Sequence, residues 1–132
     1  MNNAYQVLLE QLPYLQKLPG NDVAYVLREV VSEETVASGK ILFERDDPIE
    51  HLYLVLEGEV EEMQVTRSNG RMNYRLRRTV GPRTIVGLYD LFFNQRHSTR
   101  AHTVGTARLL KLQAAAIDRL IYRFPRDRKS VV

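Results

Sequence analysis

The sequence predicts a mainly β protein: an antiparallel double-stranded β-helix, or jelly-roll-like β-roll, with flanking α-helices. Three observations predict it. From Thr35 onward apolar and polar residues alternate in short runs, and Gly, Pro, Asn and Asp turn signals divide the runs. Apolar stripes of helical period stand on either side, at 23–31 and 117–124. No βαβ alternation, internal repeat or low-complexity segment interrupts the pattern, and about eight short strands between helices suit a double-sheet roll. Residues 1–34 are expected to be an N-terminal helical segment, residues 35–113 the roll, and residues 114–132 a C-terminal helix with a loose charged tail.

Near the N-terminus, Leu8, Leu9, Leu12 and Leu15 suggest a turn or two of helix interrupted by Pro13. After Pro19-Gly20, Asn21 or Asp22 can cap a second helix, whose stripe of Val23, Val26, Leu27, Val30 and Val31 covers a sheet face. Ser38-Gly39-Lys40 and Asp46-Asp47-Pro48 are turns, with Ile41 and Phe43 alternating between them. Beyond, Leu52, Leu54 and Leu56 occupy one face of a strand and Tyr53 and Val55 the other, so both faces are expected to be buried. Glu57-Gly58-Glu59 makes a bend, after which the apolar phase moves to Met63 and Val65. A one-residue slip of this kind predicts a bulge near Glu61-Glu62.

Ser68-Asn69-Gly70 is the strongest hairpin signal in the chain, joining Val60–Thr66 to Met72–Val80 and placing Glu61 and Glu62 near Arg75 and Arg77. Gly81-Pro82 turns the chain into Ile85-Val86, a short β-branched strand. Gly87 then allows a sharp bend, and Leu88, Leu91 and Phe92 have the spacing of one helical turn. The start of such a turn suits an anion, and Arg96, His97 and Arg100 follow closely. A corner that merely packs onto the sheet fits the same residues. Ala101 to Leu112 reads as closing strands with a turn near Gly105-Thr106, and Ile117, Leu120, Ile121 and Phe124 mark a helix ended by Pro125.

A chain of 132 residues can bury a core without staples, and it contains no cysteine. Disulfides, thiolate metal sites and cysteine nucleophiles are therefore excluded, and a cytoplasmic location is expected. Apolar runs fall far short of the roughly 18 to 20 residues of a membrane span, and no signal-peptide pattern opens the chain. The net charge of +3 hides an uneven distribution: residues 1–63 hold 4 Lys or Arg against 13 Asp or Glu, residues 64–132 hold 15 against 3. Mutual neutralisation of the two halves on folding is the expectation.

Chemistry-bearing patterns are few. His97 and His102 are five apart and face opposite sides of a regular strand, and His51 lies beside a turn, which argues against a metal site. Asp46-Asp47 reads as turn chemistry, Glu59, Glu61 and Glu62 as a surface run. No Walker loop, nucleophile elbow or HExxH helix is present, so no catalytic residue is assigned and the chain is not expected to be an enzyme.

From about Leu12 to about Phe124 the chain resembles the cyclic nucleotide-binding domains, above all bacterial regulators of the catabolite activator type. The anchors are Ser38-Gly-Lys-Ile-Leu-Phe-Glu-Arg-Asp-Asp-Pro48, Leu52-Tyr-Leu-Val-Leu-Glu-Gly-Glu-Val60 and Val86-Gly-Leu-Tyr-Asp-Leu-Phe92. The resemblance implies that amides of a short cassette helix hold a cyclic phosphate, that an arginine after this helix neutralises it, and that a glutamate after the glycine grips the ribose 2′-hydroxyl. Gly87 matches the glycine, whereas Leu88 stands at the glutamate position and His97, followed by Ser98, at the arginine position. Losing two charge-assisted contacts of about 1.5–3 kcal/mol each weakens affinity by about two to four orders of magnitude. Arg96 or Arg100 substitutes if the loop shifts or the strand turns its other face, and Tyr89 presents a ring to the pocket or packs in the core. The candidate ligand-binding residues are thus Gly87, Leu88, Tyr89, Arg96, His97, Ser98 and Arg100.

Three readings compete. The first is a sensor module with a degenerate cassette, for an atypical nucleotide or another small anion in place of cyclic AMP or cyclic GMP. The second is a ligand-free interaction module, binding a protein partner or a second copy, as part of a larger regulator, channel or transporter. The third and weakest is a cupin-like metal enzyme. Regulators of the resembling type continue into a long dimerising helix and a helix-turn-helix, whereas here the sequence after Phe124 shows neither heptads nor a second helical pattern. This chain alone is therefore predicted not to bind DNA specifically. A complex that survives excess nonspecific competitor at physiological salt in a gel-shift assay contradicts that expectation.

Overall fold

The computed structural model describes residues 30–123 together with Glu10. Six strands and two helices follow in order: β1 (Val30–Val36), β2 (Ile41–Phe43), β3 (His51–Ser68), β4 (Arg71–Val80), β5 (Ile85–Val86), α1 (Leu88–Phe93), β6 (Arg100–Gln113) and α2 (Ala114–Arg123). The strands order as β1-β6-β3-β4, with β2 on β6 and β5 on β3, and every pairing is antiparallel. This is the mainly antiparallel roll that the period-two sequence predicts.

Among the described residues the strands are fewer and longer than the roughly eight short ones that their turn signals suggest. Gly58 and Gly105 lie inside β3 and β6 and bend them without ending the ladder, because each takes a positive φ, 90° and 67°. β1 also starts early. Val30 and Val31, expected on a helix, are strand, and Val30 pairs with Leu112. β-Branched side chains fit a pleated surface, and a waiting partner strand overrides the helical stripe. The remainder of the 23–31 stripe, the residues Leu8, Leu9, Leu12 and Leu15, and the tail after Arg123 lie outside the described residues.

The first turn of β3 behaves as its pattern requires. Leu52, Tyr53, Leu54 and Val55 are all buried, so both faces of the strand are covered. Tyr53 and Val55 join Phe43, Val60, Val86 and Leu109 in the core of the roll. Leu52 and Leu54 point the other way, opposite Leu112 and Leu110 of β6, where Ala114, Ala116 and Ile117 of α2 are also buried. Complete burial of each such Leu, Ile or Val side chain contributes about 1.5–3 kcal/mol.

The hairpin forms at Asn69-Gly70, with Ser68 opposite Arg71 and positive φ at both loop residues, the geometry of a primed turn. A register shift falls between Glu62 and Met63, next to the predicted bulge. Its consequence is a correction: Glu62 faces Arg78 and Glu61 faces Thr79, not Arg75 and Arg77. Glu62 pairs with Arg78, and Glu61 turns to His102 of β6 at 3.0 Å.

Neutralisation between the two halves is extensive. Arg108 reaches both Glu33 at 2.9 Å and Glu57 at 3.2 Å, Arg100 approaches Glu44 at 3.5 Å, and Arg83 pairs with Glu10. The hydrogen bonds that Arg108 donates to Glu33 and Glu57 raise its pKa further above the usual value. Every one of these pairs joins an acidic residue of the first half to a basic one of the second.

At Gly58 the chain passes close to the backbone of β6. A Cβ there would meet Thr106 O at 2.8 Å and the Ala107 Cα at 2.9 Å, and φ is already +90°. Gly58→Ala is expected to destabilise the protein by about 1–3 kcal/mol, since strain in the left-handed region and a backbone clash act together. Urea denaturation measures it, and a midpoint equal to that of the unaltered chain would show that β3 and β6 are farther apart in solution.

Candidate functional site

The chain leaves β5 through Gly87, whose φ of 97° is open to glycine and strained for other residues. An added Cβ would also press on Leu52 at 3.2 Å and on the His97 ring at 3.4 Å. Two requirements, conformation and space, therefore fix this glycine at the entrance to α1. The six residues of α1 match the spacing of Leu88, Leu91 and Phe92. Above the helix lies a cleft of about 210 Å³.

One wall of the cleft comes from the cassette: Gly87, Tyr89, Asp90, Ser98 and Thr99. The other comes from the β3–β4 hairpin: Glu62, Arg77 and Arg78. Of the residues singled out from the sequence, Gly87, Tyr89 and Ser98 line this space. Leu88, Arg96, His97 and Arg100 stand elsewhere.

Arg96 donates to the Asp46 backbone oxygen at 2.7 Å and joins the cassette exit to the Asp46-Asp47 turn. Arg100 opens β6, where its guanidinium sits 4.9 Å from the centroid of Tyr74 and near Glu44. Leu88 is half-buried, whereas Tyr89 is 64% exposed and leans on Phe93 at 4.7 Å between ring centroids. Tyr89 is therefore a rim residue and no part of the core.

His97 is buried and lies flat on Phe43, with ring centroids 3.6 Å apart and planes within 8°. Its backbone holds the Asp46-Asp47 turn from both sides: His97 N donates to Asp47 O at 3.0 Å, and Asp46 N donates to His97 O at 2.8 Å. The imidazole thus fastens the cassette exit to the core, and its Nδ1 has no hydrogen-bond partner. Burial lowers its pKa below the usual 6.5, while the charges of Asp90 and Asp47 act in the opposite direction.

Asp90 is the residue that the sequence reading passed over. It is buried in the first turn of α1, and its Oδ2 accepts hydrogen bonds from Ser98 N at 2.9 Å and Ser98 Oγ at 3.1 Å. Its Oδ1 accepts from Asn94 Nδ2. One carboxylate thereby ties the start of α1 to the strand entry eight residues on. The spacing Asp90, Asn94, Ser98, four residues apart each time, is the sequence signal for this tie. Beside it, Thr99 is buried with an unpartnered Oγ1.

Among the described residues, no group of three or more His, Asp or Glu stands where it could hold a metal ion. His51 lies near His97 across a second cleft of about 300 Å³, along with Asp47 and Glu50. Burial lowers the His51 pKa too, helped by the charge of Lys111.

The buried imidazole makes stability depend on pH. A pKa lower in the folded than in the unfolded chain means that the unfolded state binds more protons, so stability is complete above pH 6.5 and falls as pH drops below it. His97→Phe keeps a ring on Phe43 and removes the titration. Its melting temperature is expected to vary less between pH 7 and pH 5 than that of the unaltered chain, with His51 supplying the remaining slope. An unchanged acid limb in scanning calorimetry would remove His97 as a cause.

Comparisons with known proteins bear on the family and the fold. Residues 33–124 match the cyclic nucleotide-binding domain. Over 118 residues the chain is 25% identical to a candidate potassium channel protein of Rhodopseudomonas palustris, covering 89% of this chain and 27% of that protein, so it spans about a quarter of the relative's length. Among solved structures, the catabolite activator protein of Thermus thermophilus is 26% identical with a TM-score of 0.62, over 86% of this chain and 53% of that one. The regulatory domain of Toxoplasma gondii PKA with cAMP superposes with a TM-score of 0.71 at 22% identity, over 87% of this chain and 42% of that one. Three sequence anchors, an antiparallel roll and a glycine-led helix over a cleft thus coincide with a family match over most of the described residues, and the chain belongs to the cyclic nucleotide-binding domain family.

Proposed function

We propose that the chain is the sensing unit of a cytoplasmic regulatory protein, and that its cassette is degenerate and takes an atypical nucleotide or another small anion. The observation that carries this reading is the carboxylate of Asp90, buried in the cassette wall and bonded to the Ser98 amide. A cyclic phosphate arriving at that wall meets a negative charge and an amide already in use, while Leu88 and His97 offer neither a ribose acceptor nor a guanidinium. The open cleft and the arginines of its far wall support a ligand nevertheless. Sensing, not catalysis, is what the residues suit.

A second reading has one observation in its favour. Because Asp90 already satisfies Ser98, the cassette is complete without a ligand, and the roll then serves as a protein-binding module within a larger regulator, channel or transporter.

A thermal-shift series with cyclic AMP, cyclic GMP, inorganic phosphate and small phosphate esters separates the readings, because a ligand specific to the native state raises the melting temperature. Stabilisation by a small phosphate ester is expected, with cyclic AMP at least about a hundredfold weaker than a micromolar binder. Micromolar binding of cyclic AMP contradicts the degenerate cassette. Silence from every compound at millimolar concentration leaves the interaction module.

A further inference from the structure

We infer that the cleft is reversed in polarity, holding the anionic group of its ligand on the β4 wall through Arg77 and a donor group on the cassette wall through Asp90. This rests on the sensing function proposed above and specifies its ligand as a small phosphate or carboxylate that carries an ammonium or hydroxyl group at its other end.

Four charged side chains line the cleft, and two of them neutralise each other: Arg78 pairs with Glu62. Arg77 and Asp90 remain, on opposite walls, and neither forms an ion pair with a described residue. The register shift in the hairpin gives Arg77 its place. Glu62 is opposite Arg78 and Met63 opposite Leu76, so Arg77 has no partner across the strand pair. Extra residues at bulges are commonly re-aimed out of the ladder, and this one is aimed at the cleft.

Asp90 is held from three directions by Ser98 N, Ser98 Oγ and Asn94 Nδ2. An ionised carboxylate has about four acceptor positions, so one is left for a ligand donor. The neighbouring Thr99, whose Oγ1 is buried and has no hydrogen-bond partner, belongs to the same lining and adds polar character to the cassette wall. Asp90 repels an anion from the cassette wall, and His97, the residue at the family's arginine position, is turned away onto Phe43. The volume of about 210 Å³ lies below the ~300–1,000 Å³ of sites for drug-sized ligands, which favours a compact molecule.

Calorimetric titration of the whole chain with phosphoethanolamine, inorganic phosphate and cyclic AMP tests the assignment. Phosphoethanolamine is expected to bind at least about tenfold more tightly than inorganic phosphate, to lose at least about tenfold in Arg77→Ala, and to recover partly in Arg77→Lys. In Asp90→Asn the preference over inorganic phosphate should disappear. Arg77 is exposed, so its variants remain informative even if Asp90→Asn fails to fold. Equal binding of phosphoethanolamine by Arg77→Ala and the unaltered chain overturns the reversed polarity and leaves the sensing function standing. If the unaltered chain binds none of the three, both fall.

Discussion

At Gly58 the backbones of β3 and β6 come closer than any side chain allows, and the position of the site follows from that contact. β3 pairs with β6 from His51 through Met63 and also carries β5 and β4, while β6 carries β1 and β2. The cassette is slung between the two long strands. It leaves β5, which is anchored on Tyr53 and Leu54 of β3, and it ends at Arg100, where β6 begins. The hairpin wall is set by the same strand, since Glu62 lies four residues past Gly58. A change in the crossing at Gly58 therefore moves both walls of the cleft.

Electrostatics adds a second layer. Ion pairs at the surface contribute little each, about 0–1 kcal/mol, and their effect here is mainly on distribution. Arg78, Arg83, Arg100 and Arg108 are all engaged by acidic residues of the first half. Four basic residues of the second half are thereby neutralised, while Arg71, Arg75 and Arg77 of β4 form no ion pair among the described residues. What survives near the cleft is the single unpaired Arg77 facing a buried carboxylate. The site is in this way set apart from the rest of the surface by the arrangement of charge more than by its amount.

Much of the roll was legible because each local signal had one physical meaning. Alternation around Leu52–Val55 required two buried faces, Asn69-Gly70 required a primed turn, and the phase change after Glu59 required a bulge. Gly58 and Gly105 were less readable, because a glycine that ends a strand and one that bends it look alike until the partner strand is known. Val30 and Val31 were misassigned for the same reason: their helical stripe was real, but Leu112 offered a ladder. At the site, Gly87 and the helix that follows it were readable from spacing. The walls were not. Whether His97 faces a ligand or Phe43 depends on a ring stack formed across 54 positions of sequence, and Arg77 reaches the cleft through a bulge that moves the pairing by one residue. Asp90 was hidden by its charge, since a carboxylate is the last group expected where an anion is sought.

The exposed face of β4 has a further consequence. Among the described residues this ten-residue strand has a neighbour only in β3, so its other edge is unpaired, while Met72, Tyr74 and Leu76, about half exposed, alternate across its two faces with Arg71, Asn73, Arg75 and Arg77. A long unpaired edge is an open template for strand addition, the geometry by which soluble chains stack into insoluble ones. Here the arginines act as gatekeepers. Two copies meeting edge to edge in antiparallel register bring like charges together, while an acidic strand finds both a ladder and counter-charges. Because that protection is electrostatic, it weakens over a Debye length of about 8 Å at physiological ionic strength and more steeply in stronger salt. The arginines that guard this edge are the same kind of residue that gives the cleft its positive wall.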